Sequence, residues 1–342
     1  MNRACFHHIP KTNERLLETG CIQPIKTNFY RMKKYYTFIL ILLAVAGRLQ
    51  AQQSPLYTLY MMNPFVINPA IAGTHNYYQI RSNHRFQWAG FKDAPITNSI
   101  SAFGPHSSKD MGFGGLISND VTGPTSQTSI SGTYAYNVKL TSDIRLSMGL
   151  RLGVIQYKID GTKIDLDGTG SKTEATSDNA LPNAIISKFL PDASAGVYVY
   201  ASNFFAGFSA NQLLNNKFKT GPDDLGLSKL SSHFYLVGGY KYFIDREWAI
   251  EPTLILKKVV PSPFQLELDC KVIYNNTLWG GLAFRTQESF SILMGYTYQK
   301  KFYFGYAFDL ALNEIKRYTL GSHEIVIGVN FNTIKKVSRK KK

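Results

Sequence analysis

From residue 77 onward, apolar and polar positions alternate with a period of two. In the stretch 144–154, every even position is apolar, and the odd positions are Arg, Ser or Gly. Successive side chains of a β-strand point to opposite faces, so each such segment has one apolar face and one polar or small one. The same pattern recurs at 265–274 and 324–331. The body of the chain is therefore predicted to be all-β.

About fourteen segments fit this pattern. They are 77–85, 96–104, 111–118, 128–137, 144–157, 193–200, 203–211, 232–243, 247–257, 263–274, 276–286, 289–298, 302–312 and 322–332. Most have a length near ten residues, which a tilted strand needs to cross a bilayer.

The connections alternate in length. If the connections between predicted strands are numbered in chain order, the even-numbered ones are short: 105–110, 138–143, 201–202, 244–246, 275 and 299–301. Most odd-numbered ones are longer, namely 86–95, 119–127, 158–192, 212–231 and 313–321, whereas 258–262 and 287–288 are short. Membrane barrels have short periplasmic turns and longer extracellular loops, a sorting that a soluble sandwich does not need. We predict a transmembrane antiparallel up-and-down outer-membrane β-barrel of about 14 strands, with both termini periplasmic.

Desolvation decides which face meets lipid. An Arg or Lys at the bilayer midplane costs about 2–4 kcal/mol, so the apolar sets must face lipid and the charged sets the interior. The residues predicted to line the lumen are Arg81, Arg145, Arg151, Glu251, Glu267, Asp269, Lys271, Arg285 and Asp309. Their mixed signs favour mutual bracing of the lumen over ion selection. Tyr pairs near strand ends, such as Tyr134/Tyr136 and Tyr198/Tyr200, suit interfacial aromatic girdles.

The N-terminal region has the order of a secretory signal. Met32-Lys33-Lys34 is positively charged, residues 37–46 form a ten-residue apolar run, and Ala51 offers a small residue for cleavage. We predict that residues 1–31 are a mis-annotated or extra segment, with a cytoplasmic extension as the alternative. The predicted organisation is then a signal peptide (32–51), a periplasmic or plug-like segment (52–76), the barrel (77–333) and a basic tail (334–342).

Charge and composition exclude several classes of protein. The chain is 13% aromatic and 18% charged, which does not fit intrinsic disorder. The net charge of +15 lies mainly in residues 1–51 and 335–342, leaving a nearly neutral body, so we predict no nucleic-acid partner. No run of eighteen apolar residues occurs, which argues against a helical membrane protein. The basic tail is either a disordered end or a contact for periplasmic partners or lipid headgroups.

Candidate chemistry is sparse. The histidines after Gln52 show no i, i+4 metal pair, and His106 beside two serines lacks a recognisable third triad member. Asp165–Gly168 lacks the remaining ligands of a calcium loop, and Gly112–Gly115 does not open a helix. We predict no catalytic, metal-binding or cofactor-binding residues and no cofactor, hence a protein that is not an enzyme.

Four motifs resemble those of the PorP/SprF family of type IX secretion and gliding-motility outer-membrane proteins. Residues 68–73 (NPAIAG) are similar to N-P-A-x-A-G, residues 85–90 and 93–97 to R-x-Q-W-x-G and D-x-P-x-T, and residues 322–325 to S-H-E-I. The motif residues are Asn68, Pro69, Ala70, Gly73, Arg85, Gln87, Trp88, Gly90, Asp93, Pro95, Thr97, Ser322, His323 and Glu324.

The resemblance implies a non-enzymatic outer-membrane component that works with periplasmic type IX secretion components. It implies binding and anchoring of a secreted adhesin, or its C-terminal sorting domain, at the cell surface. Whether the role is in core secretion or specific to one partner stays open. A passive porin or solute channel is the alternative function, and the sequence does not decide whether the lumen is open.

Overall fold

The structure is a computed structural model that describes residues 57–163, 185–219, 227–260 and 262–332. The predicted extra segment, signal peptide and basic tail lie outside these residues, as does Asp165–Gly168. Seventeen strands occur in the described part of the chain. In chain order they are β1 (Tyr78–Phe86), β2 (Ile96–Pro105), β3 (Met111–Thr122), β4 (Thr125–Lys139), β5 (Arg145–Asp160), β6 (Ile185–Tyr200), β7 (Phe204–Asn211), β8 (Lys217–Lys219), β9 (Leu227–Lys229), β10 (His233–Tyr240), β11 (Tyr242–Phe243), β12 (Trp248–Val259), β13 (Gln265–Tyr274), β14 (Leu278–Arg285), β15 (Ser289–Tyr298), β16 (Phe302–Ala311) and β17 (Ser322–Phe331).

Fourteen of these strands close into one antiparallel ring. Each of the fourteen pairs with its neighbours along the chain, β10 pairs with β12, and β1 pairs with β17 to close the ring. The two-residue β11 only adds to β12, and β8 and β9 form a separate hairpin. The predicted up-and-down barrel is confirmed.

The two ends of the barrel differ. Loops 87–95 and 312–321 lie at one end, which we call the long-loop end. The strand ends that lead into the connections from β5 to β6 and from β7 to β10 lie at this end too. Connections 106–110, 140–144, 201–203, 275–277 and 299–301 lie at the other, the short-turn end. Two connections, predicted at 119–127 and 158–192, are shorter in the structure, because β3, β4, β5 and β6 all extend further at the long-loop end. Only the tight turn 123–124 separates β3 from β4. The loop predicted at 212–231 contains the β8–β9 hairpin.

The outer face of the barrel is apolar and the inner face polar. In β13, Leu268 is 47% exposed while Glu267 and Asp269 are 5% exposed. Cys270 points outward, as predicted. Tyr134 and Tyr136 are exposed on the outside, but Tyr198 packs inside against Phe205 and the Tyr200 hydroxyl bonds Asn137, so that pair does not belong to a girdle. In β6 the even-numbered residues face inward, as the buried Ser194 shows, and Tyr198 and Tyr200 are among them.

Four short 3-10 helices complete the described structure: Pro64–Val66, Pro69–Ile71, Gly161–Lys163 and Glu314–Arg317. Among the described residues, no helix is long and apolar enough to cross a membrane.

Candidate functional site

Residues 57–77, which we call the strap, fill the barrel interior before β1 begins. Asn63-Pro64 and Asn68-Pro69 each open a 3-10 helix, because proline fixes φ for the first helical residue. The Asn68 side chain accepts a hydrogen bond from the Ala70 amide at 2.9 Å, which caps the second helix. Leu59 and Phe65 are fully buried and anchor the strap among apolar side chains of the wall.

The strap's backbone groups have no sheet partner. Some bond each other within its turns, and side chains of the wall satisfy several of the remaining carbonyl groups. Ser147 donates to the Ala70 carbonyl at 2.6 Å, and Ser209 donates to the Ile67 carbonyl at 2.7 Å. Arg151 donates to the carbonyls of Phe65 and Val66, and its guanidinium lies 4.5 Å from the centre of the Phe65 ring. The wall therefore recognises the strap through its main chain.

A buried cluster of charges holds the strap near the long-loop end. Arg85 contacts Asp309 at 2.6 Å and Glu324 at 3.2 Å, and all three side chains are at most 3% exposed. Glu324 also accepts from the Thr58 amide at 2.7 Å, and the Thr58 hydroxyl donates to Asp309 at 2.9 Å. We call Arg85, Asp309, Glu324 and the neighbouring Arg285, Glu267 and Glu288 the Arg85 cluster. Arg285 contacts Glu267 at 2.7 Å and Glu288 at 3.1 Å.

Further along the strap, neutral polar side chains make the contacts. Tyr60 donates its hydroxyl proton to Asp269. The Asn63 amide donates to Asn83 at 2.7 Å and to Ser101 at 3.0 Å.

Two glycines let the strap lie directly against the wall. A Cβ at Gly149 would collide with the backbone of Pro69 and Ala70, and a Cβ at Gly112 would collide with Ala72 and Gly73. Gly73 itself has φ of 75°, a left-handed conformation that favours glycine where the strap turns toward β1.

A cavity of about 110 Å³ lies between the strap and the wall at the long-loop end. Its floor includes Tyr57, Val66 and Ile67, and its walls include Asp120 and Asp192 from the extended parts of β3 and β6. The Thr97 hydroxyl donates to Asp120 at 2.5 Å. A cavity of this volume has room for a few waters or side-chain atoms.

The structure brings family-motif residues from distant parts of the chain together at the β1–β17 seam. Arg85 and Glu324 meet in the Arg85 cluster, and the Trp88 amide donates to the Ser322 hydroxyl at 3.0 Å. Ala89 exchanges backbone hydrogen bonds with residues 320 and 321, which fixes loop 87–95 to loop 312–321. Trp88, Gly90 and Asp93 have positive φ.

The remaining motif residues are spread more widely. Asn68, Pro69, Ala70 and Gly73 lie in the half of the strap that ends at the short-turn end. The Gln87 amide donates to the Pro95 carbonyl at 3.0 Å, and Thr97 bonds Asp120 next to the cavity. His323 points outward, 2.8 Å from the Tyr306 hydroxyl, and takes no part in the Arg85 cluster.

The residues predicted to line the lumen fall into three groups. Arg81, Arg151, Glu267, Asp269, Arg285 and Asp309 are all buried inside the barrel, at most 5% exposed. Lys271 and Glu251 form a half-buried pair at 2.7 Å. Arg145 lies at the short-turn rim, 32% exposed and 3.7 Å from Asp110.

Sequence reasoning missed the strap residues Thr58 and Tyr60 and the cavity residues Asp120 and Asp192. The strap has no periodic pattern, so nothing marked its polar side chains as partners of the wall. Asp120 and Asp192 are at even-numbered positions, which face inward in β3 and β6. Longer predicted strands at these two places would have put both residues on the inner face of the barrel. In the described part of the chain, no three His, Cys, Asp or Glu side chains are arranged to hold a metal ion.

Comparison with known proteins identifies one family. The model of the family described as "Type IX secretion system membrane protein PorP/SprF" matches residues 49–329. A comparison with curated proteins gives no match.

Similar solved structures include the CymD monoaromatic hydrocarbon channel, which is 11% identical in sequence. The match covers 84% of this chain and 95% of that chain, with a TM-score of 0.45. The Pseudomonas putida toluene transporter TodX has 11% identity, covers 83% of this chain and 95% of its own, and has a TM-score of 0.44. The KdgM porin is 8% identical. The match covers 74% of this chain and 99% of that chain, with a TM-score of 0.37.

Proposed function

Because this chain belongs to the PorP/SprF family of type IX secretion system membrane proteins, we propose that it binds and anchors a secreted protein at the cell surface. Its closed barrel with an apolar exterior is the architecture of an outer-membrane protein. The partner proposed is an adhesin or its C-terminal sorting domain, and periplasmic type IX components are the second class of partner. The role is non-enzymatic.

The observation that carries this proposal is the filled lumen. The strap runs through the interior with fully buried side chains and is bonded by the wall at Thr58, Asn63, Ile67 and Ala70. A passive porin needs a continuous aqueous path, whereas a scaffold for binding needs a rigid interior. The strap therefore favours binding over free diffusion of solutes.

The long-loop end is the proposed binding surface. Loops carry recognition while a rigid scaffold positions them, and here loops 87–95 and 312–321 are fixed to each other and to the Arg85 cluster. The strand ends that flank the longer connections, from β5 to β6 and from β7 to β10, lie at the same end, as does the cavity beside Asp120 and Asp192. We place this end outside the cell and the C-terminal end of β17 in the periplasm.

A deletion strain tests the proposal. Surface proteins are labelled in intact cells and compared with the secreted fraction. Loss of one or a few large sorting-domain proteins from the surface, with other type IX substrates unchanged, is expected for a partner-specific anchor. Arrest of all type IX secretion would instead assign a core role.

The channel alternative has its own outcome. If every secreted and surface protein stayed unchanged and only uptake of small solutes fell, the anchoring role would be abandoned. A strain expressing the Lys300→Met variant, altered only in an exposed side chain of turn 299–301 at the short-turn end, is the matched control for expression.

A further inference from the structure

At the long-loop end, β6 extends beyond its neighbour β7 and has a pairing partner on one side only. β5 stays paired with β6 as far as Asp160 and Ile185. β7 pairs with β6 only from Ala195 onward, because the chain turns away at Gln212, which has φ of 56°. In the described part of the barrel, residues 185–194 of β6 are therefore an edge of the sheet.

Backbone contacts show which groups of this edge point away from β5. The Ala193 carbonyl accepts a hydrogen bond from the Leu213 amide at 2.9 Å, and the Pro191 carbonyl accepts one from the Asn216 side chain at 2.6 Å. Both donors lie on the side opposite β5. Successive residues of a strand direct their backbone groups to opposite sides, so the odd-numbered residues of β6 face away from β5. The proline at 191 agrees with this, because proline is tolerated where the sheet needs no N–H.

The odd-numbered residues at the start of β6 have no such partner. No described residue hydrogen-bonds the N–H or C=O of Ile185, Ser187 or Phe189 on this side, and we call residues 185–189 the open edge. The open edge lies beyond the apolar band, since its outward neighbours in β5 are Gln156 and Lys158. Free backbone groups of this kind bind water until another strand pairs with them through its main chain.

We propose that the open edge of β6 binds an extended segment of the secreted protein as an added strand. The inference rests on the proposed function and specifies how the partner is held. Exposed lysines surround the edge: Lys188 on it, Lys163 near its start and Lys217 next to Asn216. The carboxylate of Asp160 already accepts a hydrogen bond from Thr162 at 2.6 Å. The lysines favour an acidic segment and oppose pairing with the same edge of a second copy of this chain, which would bring like charges together.

Proline substitutions test the edge, because they remove one outward N–H and leave the pairing with β5 intact. Ser187→Pro is compared with Ser187→Ala, since both lose the hydroxyl that bonds Gln156 at 3.0 Å and only the proline variant loses the N–H. Phe189→Pro and Phe189→Ala are a second pair on the same edge. Heat-modifiable gel migration verifies folding of each variant. Sorting-domain proteins on intact cells are then quantified by surface labelling, with the deletion strain alongside.

We expect each proline variant to retain about ten-fold less of these surface proteins than its alanine partner, because main-chain hydrogen bonds to the added strand are lost. Equal retention by the two members of a folded pair would overturn binding at the edge and leave the anchoring role standing. If the deletion strain itself loses no surface protein, the proposed function fails and this inference fails with it.

Two further outcomes would also contradict the proposal. Failure of both proline variants to fold would show that the barrel itself uses these N–H groups, so that the edge is not open. If the purified protein is a dimer in detergent and Ser187→Pro converts it to a monomer, the occupant of the edge is a second copy of this chain and not a secreted protein.

Discussion

Arg85 shows how one residue can connect three distant parts of the chain. It belongs to β1, its two carboxylate partners belong to β16 and β17, and those carboxylates also bind Thr58 of the strap. A buried charge that loses its partner is costly, because it can recover neither water nor a counter-ion. The strap and the barrel seam therefore depend on the same guanidinium.

Replacing Arg85 tests this dependence. Arg85→Met leaves Asp309 and Glu324 buried with their cation removed, and we expect a loss of about 3–5 kcal/mol in the free energy of unfolding. Urea unfolding of the protein in lipid vesicles, followed by tryptophan fluorescence, measures it. Arg317→Met is the matched control, since Arg317 and Glu314 are 70% and 89% exposed, and it should leave the transition unchanged. Equal transitions for both variants would contradict the role given to the cluster.

The contact at Gly149 can be tested with one methyl group. Gly149→Ala places a Cβ against the backbone of Pro69 and Ala70, and we expect destabilisation by about 1–3 kcal/mol and faster proteolysis of the strap. Gly132→Ala adds the same group to the neighbouring strand, where no atom lies within 4 Å of the added Cβ. If the two variants were cleaved at the same rate, the strap would not be packed on Gly149.

At the scale of elements, the barrel strands were predictable and the strap was not. Alternation located every membrane-crossing strand, because one face must be apolar along the whole crossing. It missed the long-loop ends of β3, β4 and β5, namely 119–122, 125–127 and 158–160, because outward residues there, such as Asn119, Ser126 and Lys158, are polar. It also missed residues 185–192 of β6. The strap's conformation depends on contacts with residues up to 266 positions away, for which a local pattern gives no signal.

The depth of the apolar band can be measured on β5. Leu150 is the middle residue of the outward apolar set 146–154, so Leu150→Arg should cost about 2–4 kcal/mol and block assembly. Gln156→Arg, on the same face of the same strand but beyond the apolar set, should assemble normally. Heat-modifiable gel migration distinguishes the two. Ser147 is not a suitable inward control, because it is fully buried and donates to Ala70.

At the scale of the whole described barrel, a closed ring of strands with an apolar outer face surrounds an interior occupied by the strap. The polar inner face bonds the strap, and the long-loop end carries the cavity and the loops fixed to the seam. Transport of free solutes would require the strap to leave, against all of its contacts at once.

Conductance measurements test this description. Purified protein in planar lipid bilayers should give no steady open-channel current, because the strap fills the lumen. A variant lacking residues 57–73 is the comparison, and it should conduct if its barrel still forms. Steady conductance of the intact protein at neutral pH would contradict the filled lumen irrespective of the behaviour of the variant.

The threaded strap also has a consequence for the order of folding. The strap continues directly into β1, and β1 pairs with β17, the last strand of the chain. The ring cannot close around an empty lumen and acquire the strap afterwards unless a free chain end passes through it. We therefore expect the seam to close after the strap is placed, and we expect slow folding, because contacts between residues far apart in the chain must form together. Unfolding requires the same seam to open. We therefore expect that urea unfolding and refolding curves do not superimpose on laboratory timescales. The lifetime of the folded protein would then be set by the barrier to seam opening more than by the equilibrium free energy of unfolding.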